Sequence, residues 1–309
     1  MNPVIEVSGL CKKYGDFAAV NDLTFTVFHN EIFGLLGPNG AGKTTTINML
    51  CGLLAATGGS IKFRINNGKD HKSLIGYCPQ ENIFYPRLTC LEQLQFTGSL
   101  YGIPGPESKN RALRLLEMLG LNDKVNARAS ELSGGMKRRL NICLALIHDP
   151  EILILDEPEA GLDPQSRLLV RDFIRKFGND KTVILTTHNM DEADRMADRV
   201  AIIDYGRLLM LDTPDRLKRT AGEGDMLEII TEHADEIQVK RFAEIAGQIA
   251  EVVSIGDCNI LFRRKNMVVL LPDIRKIADE SGIQIGEMKL RENTLEDVFI
   301  QLTGRNLRQ

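Results

Sequence analysis

Short apolar runs alternate with amphipathic segments over the first 190 residues of the chain. Runs of apolar or β-branched residues bounded by turn residues predict strands at residues 4–7, 23–28, 32–36, 152–155 and 182–185. Apolar positions at helical spacing predict helices near residues 44–51, 89–101, 107–119, 136–147 and 165–177. Strands that alternate with helices predict an α/β fold, with a parallel sheet and helices on its faces. The mostly helical segment at about residues 85–130 predicts a separate helical lobe.

Residues 223–309 differ in charge from the rest of the chain. They hold 11 Lys and Arg against 16 Asp and Glu, a net charge of −5, whereas residues 1–222 hold 27 against 26. The predicted elements are strand, helix, strand, strand, helix, strand and helix, at residues 226–231, 236–248, 251–255, 258–263, 268–281, 283–290 and 294–302. The first six have the βαββαβ order of a ferredoxin-like module. The sequence therefore predicts two domains, 1–222 and 223–309, the second a small α+β domain with an accessory or regulatory role.

Composition narrows the classes of function. The 309 residues are 43% hydrophobic and 26% charged with a net charge of −4, which gives no reason to expect nucleic-acid binding. No stretch approaches the roughly 18 consecutive apolar residues of a membrane span, and the N-terminus lacks the pattern of a secretory signal. The six cysteines form no CxxC pair or zinc-like cluster. If the protein serves a membrane, we expect it to dock onto a partner that spans it.

A complete phosphate-binding motif follows the predicted strand at 32–36. It fits the pattern G-x-x-x-x-G-K-[ST] and consists of Gly37, Pro38, Asn39, Gly40, Ala41, Gly42, Lys43 and Thr44. Glycines let backbone N–H groups close around a polyphosphate, and the helix that follows presents its positive end to the anion. We expect Lys43 to reach the β and γ phosphates, Thr44 to ligate Mg²⁺ and Thr45 to add a phosphate contact.

Two acids, Asp156 and Glu157, follow the predicted strand at 152–155. The carboxyl edge of a parallel sheet is where α/β proteins bind ligands. In a nucleotide hydrolase with this phosphate loop, the first acid holds Mg²⁺, often through water. The second is placed to polarise a water molecule for attack on the γ-phosphate.

One sequence motif distinguishes between families of proteins with this phosphate loop, and it is the run Leu132-Ser133-Gly134-Gly135-Met136. Together with the phosphate loop, the acid pair and His188, it resembles the ATP-binding subunits of ABC transporters over about residues 1–220. The resemblance implies a P-loop NTPase of ABC type, with a mixed sheet core and a helical lobe. It also implies that two nucleotide domains pair head to tail. Ser133, Gly134 and Gly135 of one subunit would then contact the ATP held by the phosphate loop of the other.

Four further positions match the family's motifs, and their roles are implied by the resemblance. Tyr14 matches the aromatic residue that stacks on adenine, and Gln80 matches the glutamine that senses Mg²⁺ and the γ-phosphate. Asp163, in Gly161-Leu162-Asp163, matches the loop that crosses the dimer interface. His188 matches the histidine that contacts the γ-phosphate and orients the attacking water.

The chain also departs from the family's usual pattern. Met136 stands where glutamine is most frequent, and little loss is expected because that position need not touch phosphate. Glu159 replaces a usual Thr or Ser. It either tunes ATP turnover through its charge or faces solvent, and the second interpretation is favoured. The basic run 137–139 is expected to face solvent or to form ion pairs at the surface.

The ending at residues 295–304 resembles that of drug-resistance and lipid-type ABC exporters, whose ATPase chains carry a small extra domain. The resemblance implies the ATPase motor of an exporter, which uses ATP and Mg²⁺, with Lys43, Glu157 and His188 as the catalytic residues. The implied partners are a transmembrane permease and a second nucleotide-binding subunit, expected to be another copy of this chain. The protein would then be cytoplasmic and peripheral on the inner face of the membrane. The alternative is a regulatory ABC-type ATPase that acts without a permease.

Overall fold

The structure is a computed structural model that describes residues 2–65, 71–220, 224–232, 234–256 and 258–303. The chain divides into two compact units, one formed by residues up to Pro214 and one that begins at Asp215. The predicted boundary between residues 222 and 223 lies outside the described residues.

The first unit contains the elements on which the candidate chemistry depends. Its strands are β1 (Pro3–Tyr14), β2 (Phe17–Phe28), β3 (Ile32–Leu36), β4 (Gly58–Phe63), β5 (Ile75–Cys78), β6 (Ile152–Asp156), β7 (Thr182–Thr187), β8 (Arg199–Asp204) and β9 (Arg207–Asp212). Its helices are α1 (Lys43–Leu50), α2 (Cys90–Leu100), α3 (Gly105–Met118), α4 (Gly134–Leu146), α5 (Pro164–Gly178) and α6 (Met190–Met196). Short 3₁₀ turns lie at His71–Leu74, Asn122–Lys124 and Ala129–Glu131.

A six-stranded sheet runs in the order β5-β6-β7-β3-β8-β9, and all its strands are parallel except β9. Strands β3, β6 and β7 are buried along their whole length, as expected for parallel strands covered on both faces. Because β7 lies between β3 and β6, the loops that follow these three strands meet at one edge. The predicted α/β fold is confirmed, and this edge is where the sequence placed the chemistry.

A second sheet, antiparallel and in the order β2-β1-β4, packs into the same core. The rings of Phe25 on β2 and Phe33 on β3 stack with centroids 5.4 Å apart, and both side chains are buried. Ile47 of α1 belongs to the same buried cluster. The core therefore fixes the start of α1 relative to the sheet edge.

The segment predicted as a helical lobe, residues 85–130, contains α2 and α3, and α4, which begins after that segment, contacts both helices. Thr89 caps α2 through its hydroxyl, and Glu92 completes the capping box by accepting from the Thr89 N–H. Ser133 caps α4 by accepting from the Met136 N–H at 3.3 Å. The helix thus begins at the Ser-Gly-Gly run, two residues before the predicted start.

The second unit has its own sheet and core. Its elements are α7 (Pro214–Thr220), β10 (Asp225–Glu232), α8 (Glu236–Ala246), β11 (Glu251–Ile255), β12 (Asn259–Arg264), a 3₁₀ turn (Met267–Leu270), α9 (Leu271–Glu280), β13 (Gln284–Arg291) and α10 (Leu295–Thr303). The four strands form an antiparallel sheet in the order β11-β12-β10-β13. Buried side chains of β10, β12, α8 and α9 form one cluster, with Phe242 and Phe262 in edge-to-face contact.

The sequence analysis predicted no strands at β4, β5, β8 or β9. It also placed one helix over residues 268–281, where the structure has a 3₁₀ turn followed by α9. Pro272 lies in the first turn of α9, where its fixed backbone is tolerated and its missing N–H costs nothing.

Candidate functional site

The phosphate-binding loop connects β3 to α1. Gly42 has φ of 99°, in the region that favours glycine, and a Cβ there would lie 2.5 Å from the carbonyl oxygen of Ala19. A Cβ on Gly37 would overlap the carbonyl oxygen of Ile203. These two positions therefore require glycine, and the loop is free to wrap its backbone N–H groups around an anion at the start of α1.

Lys43 is buried, and its ammonium group bonds back to the loop. Its Nζ donates to the carbonyl oxygens of Gly37 at 2.7 Å and Pro38 at 3.1 Å, and it lies 3.6 Å from Oε1 of Glu157. Burial lowers the pKa of Lys43, and the Glu157 carboxylate opposes that shift. The side chain is held at the loop, ready to exchange carbonyl partners for phosphate oxygens.

Asp156, the last residue of β6, is buried and has one oxygen satisfied. The hydroxyl of Thr186 on β7 donates to its Oδ1. Its Oδ2 is buried and has no hydrogen-bond partner in the part of the chain that the structure describes. A carboxylate oxygen left in this state fits a ligand of Mg²⁺, which prefers oxygen donors. Thr44, the predicted hydroxyl ligand, is exposed in the first turn of α1, which begins at the same sheet edge.

Glu157 and His188 are in direct contact. Nδ1 of His188 lies 2.7 Å from Oε2 of Glu157, while the Glu157 N–H donates to the hydroxyl of Thr186 at 3.0 Å. Glu157 has φ of 53°, an uncommon backbone conformation for a residue other than glycine. Its carboxylate thus lies between the Lys43 ammonium and an imidazole that is half-exposed. Such a carboxylate can accept a proton from a water molecule held beside a bound phosphate.

Two further predicted residues lie at exposed positions. Tyr14 is 52% exposed at the end of β1, with Nζ of Lys12 at 5.2 Å from its ring centroid. Gln80 is exposed just after β5, the strand beside β6. Thr45 is partly buried in the first turn of α1. No described contact joins these residues to Glu157, so their roles stay predictions.

The Ser-Gly-Gly run lies at the start of α4, and its two glycines differ. Gly134 is exposed, and a Cβ there would meet nothing within 4 Å. Gly135 is buried, and a Cβ there would lie 2.7 Å from Oγ of Ser166 and 3.2 Å from Oδ2 of Asp163. Asp163 caps α5 by accepting from the Ser166 N–H at 2.9 Å. The run therefore packs on the start of α5 through Gly135, while Ser133 and Gly134 are exposed to solvent.

Two residues of the basic run 137–139 are buried, so the expectation that the run lies at the surface is wrong for them. Arg138 and Arg139 are 3% and 7% exposed. The guanidinium of Arg139 donates to the carbonyl oxygens of Leu119 at 2.8 Å and Gly120 at 3.0 Å, at the end of α3. The guanidinium of Arg138 donates to main-chain carbonyls of two segments, residues 79–80 and residues 156–158. No spacing in the sequence signals these contacts, because backbone carbonyls have no residue-type pattern.

Glu159 is buried, so the expectation that it faces solvent is also wrong. Its two oxygens accept from the guanidinium of Arg171 on α5, at 3.1 and 2.8 Å, and Nε of Arg167 lies 3.7 Å away. The bidentate pair anchors the turn after Glu157 to α5. The sequence did contain a signal for this ion pair, because residues 167 and 171 are basic and lie four positions apart on one predicted helix.

An apolar groove of 630 Å³ lies between the end of α1, the segment after β5, and helices α2 and α4. Its lining includes Leu53, Ile83, Phe84, Tyr85, Tyr101 and His148. Leu53 and Ile83 are each 66% exposed. Large apolar side chains open to solvent in one concave surface are typical of a protein interaction site.

Residues 2–65, 71–220, 224–232, 234–256 and 258–303 contain no helix with the length and hydropathy needed to cross a membrane. The same ranges contain no group of three or more His, Cys, Asp or Glu side chains arranged to hold a metal ion. The Asp156 site differs in kind, since it offers one carboxylate oxygen beside a phosphate-binding loop.

Comparison with known proteins agrees with this geometry. Residues 20–160 match the family described as ABC transporter. The chain is 35% identical to a Nod factor export ATP-binding protein I from Ralstonia nicotianae, over 99% of this chain and 95% of that protein. It is 35% identical to a linearmycin resistance ATP-binding protein from Bacillus subtilis, over 99% of this chain and 100% of that protein. A solved dimeric ATP-binding cassette in a post-hydrolysis state, bound to ADP and Pi, is 25% identical, with a TM-score of 0.62 over 68% of this chain and 98% of the cassette.

Proposed function

The chain belongs to the ABC transporter family and is one of its ATPases, and from that membership we propose that it is the motor subunit of an exporter, driving a separate permease. The observation that carries the proposal is the meeting of Lys43, Glu157 and His188 at the edge formed by β3, β6 and β7. This arrangement supplies a cation for the phosphates and a carboxylate for the attacking water.

Lys43 binds the β and γ phosphates in place of the Gly37 and Pro38 carbonyls that it contacts in this structure. Asp156, through Oδ2, and Thr44 would hold Mg²⁺, with Gln80 reaching the same region. Mg²⁺ bound there would neutralise charge on the phosphate oxygens. The backbone N–H groups at the start of α1 orient the phosphates and stabilise their negative charge.

Glu157 accepts a proton from the water molecule that attacks the γ-phosphate. Its carboxylate is buried, and its backbone is fixed by Thr186 on the neighbouring strand. His188 bonds to Oε2 at 2.7 Å and is half-exposed, so it can orient both the carboxylate and the water. The two residues follow adjacent parallel strands, which keeps them together.

The ATP site is completed by a second subunit, another copy of this chain or a related one. Ser133 and Gly134 are exposed at the N-terminus of α4, where a hydroxyl, backbone donors and the helix dipole suit a γ-phosphate. Within the described residues, no hydrogen bond joins Ser133, Gly134 or Gly135 to the loop 37–42. A partner's nucleotide is the ligand that this surface fits, and a dimeric cassette is among the solved structures similar to this chain.

The permease docks in the apolar groove beside the segment after β5. Its exposed apolar side chains are typical of a protein interaction site, and its lining includes Pro79, the residue before Gln80, so docking can sense the nucleotide state. Export is proposed as the direction because one relative is named for Nod factor export and another for linearmycin resistance. The protein would then act on the inner face of the membrane.

The test is capture of the tagged full chain from detergent-solubilised membranes of its own cells. We expect an integral membrane protein to co-purify, and Leu53→Glu, at a 66% exposed residue of the groove lining, to release it by charging the groove while the ATPase activity of the isolated chain is kept. Met118→Glu is the matched control, since Met118 is 57% exposed but lies outside the groove lining. Absence of any integral membrane protein, or equal release by the control, would contradict the proposal.

A further inference from the structure

One buried guanidinium, that of Arg138 on α4, binds five main-chain carbonyls from two separate segments. Nη1 donates to the carbonyl oxygens of Pro79 and, at 3.3 Å, Gln80. Nη2 donates to those of Asp156 and, at 3.1 Å, Glu157, and Nε donates to that of Pro158 at 3.4 Å. The planar fork of an arginine side chain has the five N–H donors that such a site needs.

The two segments follow neighbouring strands. Strands β5 and β6 pair in parallel, so residues 79–85, here called the linking segment, and the turn at 156–158 leave the same sheet edge side by side. Among the strand pairings of the described residues, none joins these two segments beyond that edge. Arg138 therefore supplies a bridge between the segment that carries Gln80 and the turn that carries Glu157.

The linking segment is also attached to the helical lobe. The Ile83 N–H donates to Oδ1 of Asn141 at 2.7 Å, and Asn141 lies one turn after Arg138 on α4. The Tyr85 N–H donates to Oε1 of Gln93 on α2 at 2.9 Å. Four residues of the segment line the apolar groove, which are Pro79, Ile83, Phe84 and Tyr85. A partner that presses on the groove would therefore displace a segment held by the same helix that carries Arg138.

Glu157 depends on its main-chain contacts. Its φ of 53° is an uncommon conformation that persists where the surroundings over-determine it. Thr186 fixes the N–H of this residue, and Arg138 fixes its carbonyl group together with those on either side. Movement of the guanidinium changes the second set of contacts and hence the direction in which the carboxylate points.

We propose that Arg138 is a positioning residue for hydrolysis, which passes displacements of the linking segment to the backbone of Glu157. The inference rests on the proposed function, in which Glu157 is the base and the groove receives the permease. It adds the set of contacts through which a displacement at the groove reaches Glu157. Arg138 touches neither nucleotide nor water in this account and acts through Glu157.

The next residue, Arg139, provides a control that tests whether Arg138 serves stability alone. Arg139 is also buried on α4 and also donates to two main-chain carbonyls, but those belong to Leu119 and Gly120 in the lobe. Arg139→Gln removes the same charge and two main-chain hydrogen bonds, against five for Arg138, without touching the turn at 156–158. If buried arginines on α4 serve only stability, Arg138→Gln and Arg139→Gln should behave alike.

The experiment measures kcat and KM for ATP, nucleotide affinity and thermal unfolding on the full chain. We expect Arg138→Gln to lower kcat by about tenfold or more with KM changed less than about threefold, and Arg138→Lys to fall between it and wild type. Arg139→Gln should keep kcat within about twofold, whatever its Tm. A kcat for Arg138→Gln within about twofold of wild type, or an equal loss in Arg139→Gln, would overturn the inference. If Arg138→Gln does not fold, Arg138→Lys must show the same split between kcat and KM, and an unchanged kcat there overturns it.

A second measurement asks whether Arg138 acts through Glu157. On a Glu157→Gln background, adding Arg138→Gln should lower the residual turnover by less than about twofold, because the group being positioned is already gone. Full additivity of the two losses would overturn the inference. A wild-type chain without ATPase activity would refute the proposed function itself, whereas an active wild type matched by Arg138→Gln refutes only the role of Arg138.

Discussion

The Nδ1 atom of His188 lies 2.7 Å from Oε2 of Glu157, and the two residues follow the adjacent parallel strands β7 and β6. The carboxylate is buried and the imidazole is half-exposed, so one end of the pair is fixed and the other can meet a ligand. The pair has the geometry of a base and the group that orients it.

The first prediction concerns His188→Ala. Loss of the imidazole removes the contact to Oε2 and should lower ATP turnover by about tenfold to a hundredfold. Affinity for ATP should change less than about threefold, because Lys43 and the loop 37–42 are untouched. Steady-state turnover and equilibrium nucleotide binding check both parts. Turnover equal to wild type would remove His188 from the mechanism.

The second prediction separates the two glycines at the start of α4. Gly134→Asp should leave the subunit folded, since a Cβ there meets nothing within 4 Å and an acid suits a helix N-terminus. Its carboxylate would face the γ-phosphate held by the partner subunit, so ATP-dependent dimerisation should weaken by about tenfold or more. Gly134→Asn is the neutral control and should dimerise more tightly than Gly134→Asp.

Gly135→Asp has a different expected outcome, because its Cβ would lie 2.7 Å from Oγ of Ser166 and close to the Asp163 carboxylate. It should lower the melting temperature of the isolated subunit, which Gly134→Asp should not do. Normal ATP-dependent dimerisation of Gly134→Asp, measured by light scattering, would rule out the shared site at this run.

The third prediction concerns the buried pair of Glu159 and Arg171, whose side chains are 0% and 12% exposed. Glu159→Gln leaves a largely buried guanidinium without its carboxylate, so the free energy of unfolding should fall by about 3–5 kcal/mol. The solvent-accessible pair of Glu6 and Arg64 is the control, and Glu6→Gln should lower the free energy of unfolding much less than Glu159→Gln does.

Replacement of both Glu159 and Arg171 by Met should recover most of the stability lost in Glu159→Gln, because no buried charge is then left alone. Chemical denaturation of the three variants checks this order. A double variant less stable than the single one would show that the pair stabilises by more than mutual neutralisation.

The fourth prediction concerns the second unit. Its own sheet and core support a separately folded domain, proposed to act in pairing or regulation and not in chemistry. The fragment 1–222 should therefore bind ATP with an affinity close to that of the full chain, with the main change in dimer stability. An affinity loss beyond about tenfold, roughly 1.4 kcal/mol, in a fragment that is folded by circular dichroism would contradict this division.

The residues at the sheet edge could be predicted because the chemistry and the packing both restrict their types. Gly42 is needed where a Cβ would lie 2.5 Å from the Ala19 carbonyl, and the acids follow a strand whose burial is visible as an apolar run. The order of strands places Lys43, Glu157 and His188 together, and parallel α/β sheets bind ligands at that edge.

Two other features left no signal in the sequence, the contacts of Arg138 and the different packing of Gly134 and Gly135. Arg138 bonds to backbone carbonyls, which any residue supplies, so its role depends on where α4 lies relative to two loops. The difference between Gly134 and Gly135 depends on the rotation of the same helix. Glu159 was expected at the surface because its charge was weighed without its partner, which lies twelve positions along the chain on α5.

The fifth prediction concerns Glu157→Gln and tests the mechanism most directly. The measurements are its ATP turnover and its ATP-dependent dimerisation. The amide keeps the size of the carboxylate but is a poor proton acceptor, so turnover should fall on the order of 10²-fold or more while ATP still binds and dimers accumulate. Lys43→Ala is the contrasting variant, in which nucleotide affinity and turnover should fall together. Glu157→Gln turning over ATP at the wild-type rate would contradict the assignment of Glu157 as the base.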